Sequence, residues 1–128
     1  MVPAHHRRWF LLAYWTLMFA LTHWPGLDDL VTVPRWIPHA DKYIHFTMYA
    51  GWMVLWWWVL AGRRWPVDRH AFTWVLAGGA AYGIFDELTQ IIVSRDCEVG
   101  DWLADVGGMT TAMLILMSWQ QFRARQAS

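Results

Sequence analysis

The sequence predicts an all-α fold, a polytopic membrane bundle of four transmembrane helices in one domain over residues 1–128. Three observations carry this. The chain is 57% hydrophobic and only 16% charged. Its apolar residues gather into four runs, about 9–24, 43–62, 71–93 and 102–119, each near the roughly 20 residues a helix needs to cross hydrocarbon. Short polar stretches with Pro, Gly and Arg separate the runs. The mean hydropathy of +0.22 is low for such a protein. The twelve Trp account for part of that, because hydropathy scales rate Trp poorly although it sits well at membrane interfaces.

The first run, WFLLAYWTLMFALTHW, follows a basic start with Arg7 and Arg8. A basic start before an apolar run can mark a signal peptide. No small-x-small cleavage site follows and Pro25-Gly26 ends the run, so it reads as a retained span. The loop at 25–42 holds Pro25, Pro34, Pro38, Asp28, Asp29 and Arg35. The second run carries Trp52, Trp56, Trp57 and Trp58, expected to form an interfacial or lipid-facing belt. The turn GRRWPVDRH leads to the third run. Residues 94–101 form a polar loop, and a basic tail with Arg123 and Arg125 follows the fourth.

Orientation follows from Lys and Arg. The N-terminus, middle turn and C-terminus hold Arg7, Arg8, Arg63, Arg64, Arg69, Arg123 and Arg125. The other two loops hold Arg35, Lys42 and Arg95. Seven against three places both termini in the cytoplasm of a cell membrane protein. The second span then starts at the outer side, the third ends there and the fourth starts there. Glu87 should lie roughly 9 Å below the outer end of its helix, and Tyr49 at a similar depth. Topology alone thus sets residues far apart in sequence in one layer.

That layer centres on residues 83–108. Asp86, Glu87 and Gln90 lie inside the third run, and Asp101 and Asp105 open the fourth. A charge within a span costs roughly 2.5–3.5 kcal/mol on insertion scales, so a chain that accepts several is expected to use them. Asp41, His45 and Tyr49 share one helical face at i, i+4, i+8. Gly79, Gly83 and Glu87 repeat that spacing, and Asp101, Asp105, Gly108 and Ala112 line up on the fourth helix. Glycines four apart let helices approach closely in a membrane. The expectation is a tight inner packing that opens into a polar pocket at the outer surface.

Zero net charge gives no basic surface for nucleic acid. The lone Cys97 forms no internal disulfide, and neither a zinc spacing nor a phosphate-binding glycine loop is present. No residue is assigned as a metal ligand. A divalent ion held by Asp101, Asp105, Glu87 and His45 beside a phosphate is the weaker option, because no tight ligand spacing is present.

DKYIHFTMYA at 41–50 resembles the aspartate-lysine-histidine-tyrosine pattern of VanZ-like membrane proteins. GIFDELTQ at 83–90, with Arg95, Asp101 and Gly108, resembles the second half of that pattern. The match covers about half the chain, and the four-span layout agrees. Asp105 departs from the family, where asparagine is common, and adds a carboxylate to be protonated or paired. The resemblance implies a bacterial multi-pass membrane protein. The family takes its name from an association with teicoplanin resistance, and proposals for it include action on lipid headgroups.

These readings give each residue an expected role. His45 has a pKa near neutral pH and suits a general acid or base, with Asp41 one turn earlier to orient it. Glu87 and Asp101 serve as the second acid/base group or bind substrate. Glu87 either holds a proton or pairs with Lys42 or Arg95. Lys42 and Arg95 would grip a phosphate as a point charge and a forked donor. Tyr49, Gln90 and Asp105 would position the substrate. Asp101 also fits a plain helix cap, and Asp86 a structural bond to Gln90. The expected function is an enzyme on a phosphate-bearing lipid or lipid-linked headgroup at the outer leaflet. The alternatives are a non-catalytic module that binds lipid or glycopeptide antibiotic, an envelope assembly partner, or polar residues that merely hold the bundle together.

Overall fold

The computed structural model describes residues 3–26, 38–95 and 97–126. Asp28, Asp29, Pro34 and Arg35 of the first loop lie outside them. The described residues form four α-helices and no strand: α1 (Ala4–Thr22), α2 (Ala40–Ala61), α3 (Arg69–Gln90) and α4 (Val99–Gln126). A 3₁₀ turn, Ile91–Val93, extends α3. The all-α expectation holds at this level.

Local chemistry sets the ends. Pro25 disfavours helix at the residue before it, and Gly26 takes a left-handed φ of 73°. The Asp68 carboxylate accepts from the backbone N–H of His70 (3.1 Å) and caps α3. Ser94, left-handed at φ 60°, closes the 3₁₀ turn. Two boundaries differ from expectation. α1 begins before the apolar run and includes Arg7 and Arg8. The basic tail is helical, since α4 runs on to Gln126 with Arg123 and Arg125 in its last turn, where cations meet the negative end of the helix dipole.

The helices run up and down. Arg7 donates to the carbonyl of Trp58 (2.9 Å) and Tyr14 to that of Met48 (2.9 Å), so α1 and α2 are antiparallel. The indole of Trp102 donates to the carbonyl of Ala80 (3.0 Å), tying α4 to antiparallel α3. α2 and α4 run parallel and share the most extensive interface, with α1 and α3 flanking them. Gly108 makes this possible, because a Cβ there would run into the carbonyl of Phe46. At Gly79 a Cβ would meet the Met109 sulfur and the Trp52 ring. The expected small-residue stripes are therefore real contact lines.

Tyr49, Trp52, Met53, Phe72 and Met109 form the buried centre. Trp52 corrects the belt reading, since it is 2% exposed and packs edge-on against Trp15. Its ring is packed between Trp15 of α1 and Gly79 of α3, which explains this, and only Trp56, Trp57 and Trp58 stay half-buried. The outward faces are apolar: Trp9, Leu17, Trp74, Ile92, Leu103 and Ile115 are all exposed. Thr22, His45, Asp86, Glu87, Asp101 and Asp105 are buried. By mean hydropathy, no helix among the described residues is long and apolar enough to cross a membrane. Their lengths run from 19 to 28 residues, so apolarity is what falls short.

Candidate functional site

The C-terminal ends of α1 and α3 and the N-terminal ends of α2 and α4 meet at one end of the bundle. The layer expected from topology forms there. Asp41, Lys42, His45, Glu87, Arg95, Asp101 and Asp105 all belong to this end, but their pairings differ from those expected.

His45 does not turn to Asp41. Its Nδ1 lies 3.0 Å from Asp105 Oδ1, and both side chains are buried. Asp41 is exposed and bonds Lys42 instead. The parallel α2–α4 pairing explains the difference, because it brings residue 105 level with residue 45. Asp105 is thus the partner that orients the imidazole. Its other oxygen, Oδ2, is buried without a hydrogen bond among the described residues, as is the hydroxyl of Tyr49.

Lys42 is the hub of the rim. Its Nζ donates to Asp41 (2.8 Å), Glu98 (2.7 Å) and Asp101 (3.0 Å). An ammonium has three donors, so none is left for a phosphate, which corrects the grip expected of Lys42. Its hydrogen bonds to the carboxylates of Asp41, Glu98 and Asp101 hold its pKa far above the ordinary lysine range. Burial pushes Asp41 up, but its bonds to Lys42 outweigh that and leave the carboxyl below its usual value. Asp101 lies in the first turn of a helix that starts at Val99, so it is not the cap.

Glu87 pairs with neither Lys42 nor Arg95 among the described residues. One oxygen accepts from the backbone N–H of Glu98 (2.9 Å) and the other from Gln90 (3.4 Å). Gln90 is buried and also donates to Asp86 (3.3 Å), as expected for Asp86. Gln90 therefore braces two carboxylates of its own helix rather than a substrate. Tyr49 is fully buried and does not reach open space either.

A pocket of about 120 Å³ opens at this end, lined by Thr22, Asp41, His45, Met48, Arg95 and Asp101 among others. Arg95 also reaches α1, donating to the carbonyl of Leu21 (3.4 Å). Glu87 faces a separate apolar groove with Ile84, Leu88, Val99 and Trp102.

Three participants were not foreseen. Glu98 was missed as a lone loop carboxylate without periodicity. Thr22 donates to Asp86 (3.1 Å) and His23 bonds Thr89 (2.8 Å), so α1 belongs to the site. Their signal was available: the first run ends in Thr-His at the level of Asp86. Cys97 is exposed and free.

No family model, curated protein or solved structure matches this chain.

Proposed function

We propose that this chain is an integral membrane protein of the cell envelope, with four helices across the bilayer and both termini in the cytoplasm. Its polar end would receive a phosphate-bearing lipid or lipid-linked headgroup at the outer leaflet. The supporting observation is the inverted distribution of side chains. Large apolar residues cover the outside of the bundle, while carboxylates and a histidine are buried at one end. Lipid around the bundle removes the penalty of such an exterior, and ionisable groups within spans face the bundle interior at functional sites. The low helix hydropathy is consistent with this, because Trp and the interior charges lower the average. The VanZ-like resemblance at 41–50 and 83–108 agrees with the same reading.

Within this reading Arg95 takes the phosphate, since it lines the pocket and Lys42 is already saturated. His45, oriented by Asp105 through Nδ1, lines the pocket and acts on the headgroup through its other ring nitrogen, Nε2. Glu87 is the second carboxylate, and its apolar groove would take an acyl chain. The pocket suits a phosphate or small headgroup and is far too small for a glycopeptide.

The test compares lipid extracts of cells with and without the protein by mass spectrometry. The expected result is a lipid species gained or lost with the wild type and unchanged in cells expressing His45→Ala or Glu87→Gln. Both variants should insert and keep wild-type helicity. Full turnover in both would remove the catalytic reading. An unchanged lipid pool with retained headgroup binding would leave a binding module.

A further inference from the structure

The geometry points to a divalent metal site of the zinc or manganese class, held by His45, Glu87 and Asp101 where α2, α3 and α4 converge. A ring nitrogen of His45 and one carboxylate oxygen each from Glu87 and Asp101 all lie within 4.8 Å of one another, and all three residues are buried. An ion with ligand bonds of about 2.0–2.2 Å would sit among such atoms after a small inward adjustment. Each ligand comes from a different helix, which explains why no ligand spacing is visible in the sequence.

Two further observations favour an ion over a bare polar cluster. The first is the Asp105–His45 pair. Metal-bound histidines nearly always give their other ring N–H to a carboxylate or carbonyl, which fixes the tautomer. Asp105 occupies that position at 3.0 Å from Nδ1, which leaves Nε2 for the ion. Asp105 is itself fully buried, and its Oδ2 has no hydrogen-bond partner among the described residues. The second is charge. Asp101 shares Lys42 with Asp41 and Glu98. Glu87 meets no cation among the described residues, only the N–H of Glu98 and the amide of Gln90. A buried carboxylate without an opposite charge is costly, and a dication between Glu87 and Asp101 removes that cost.

The same test separates this set from its neighbour. Asp41, Glu98 and Asp101 also approach one another, but the Lys42 ammonium already sits among all three and occupies the place a cation would take. The imidazole favours zinc over magnesium or calcium, and the two carboxylates also suit manganese. Three protein ligands leave coordination positions open, the pattern of catalytic rather than structural sites. His45 and Asp101 line the headgroup pocket, so an open position there would face a phosphate oxygen. Metal binding does not depend on the headgroup reading.

The experiment titrates the full chain, purified in detergent and stripped with chelator, with Zn²⁺ and with Mn²⁺ alone. One equivalent should bind saturably. His45→Ala and Glu87→Gln should each weaken binding at least tenfold, and Asp105→Asn by about 10–100-fold. Glu98→Gln should change it less than twofold. Absence of saturable binding to the helical wild-type chain overturns the site. So does binding that survives His45→Ala and Glu87→Gln but is lost in Glu98→Gln. Should a variant lose its helicity, zinc-edge X-ray absorption of the wild type decides. A shell with one imidazole and oxygen neighbours supports the site, and a shell without imidazole overturns it.

Discussion

The two ends of the bundle solve the problem of buried polarity differently. At the end away from the site, Gln120 of α4 accepts from the backbone N–H of Val67 (2.8 Å) in the α2–α3 turn. Its amide donates back to the carbonyl of Val67 (3.5 Å). Arg7 stands over the Trp58 ring and bonds its carbonyl. Trp57, Trp65 and Trp119 pack edge to face around this clamp. Gln120 and Arg7 there bond neutral backbone groups, and Gln120 holds the chain turn in place. At the opposite end, the carboxylates Asp41, Asp86, Glu87, Glu98, Asp101 and Asp105 face only two permanent cations among the described residues, Lys42 and Arg95. The first end gathers no cluster of buried carboxylates among the described residues. The second carries negative charge and orphaned atoms that a ligand would satisfy.

Substitutions can break this contrast in a graded way. The largest effect is expected at Gly108, which serves both ends by letting α2 and α4 touch. Gly108→Val places a side chain against backbone rather than a flexible neighbour. Overpacking of that kind costs about 1–3 kcal/mol and occasionally more. Thermal unfolding in detergent should show the loss, and metal binding should fall with it because His45 and Asp105 face each other across the same interface. A smaller and separable effect is expected at the clamp. Gln120→Ala leaves the buried N–H of Val67 without its partner, at about 1–3 kcal/mol. Unfolding should move to lower temperature while Zn²⁺ affinity stays at the wild-type value. A clamp variant that lost metal binding without unfolding would erase the distinction between the ends.

Much of the site was legible in the sequence, for a specific reason. Alternating helix direction fixes depth, so His45, Glu87 and Asp101 could be set in one layer without knowing any contact. Helical spacing fixes the face, so the buried rows at Gly79, Gly83 and Glu87 and at Asp101, Asp105 and Gly108 were visible. Depth and face within one helix do not fix its rotation and neighbours. Asp41 is in register with His45 on its own helix, yet the parallel approach of α4 gives that role to Asp105. The same limit concealed the saturation of Lys42, whose partners come from its own helix, the 94–101 loop and α4. Trp52 was misplaced because a Trp-rich run reads as a belt whichever side of the helix faces the core.

The central claim is that the helices cross a bilayer with the polar end outward. The single cysteine allows a direct measurement. Intact spheroplasts are treated with a membrane-impermeant maleimide, and the wild type is compared with an Arg64→Cys variant in a Cys97→Ser background. Cys97 should label without permeabilisation, and the cysteine at 64 only after it. Labelling of both positions from the same side would contradict the account.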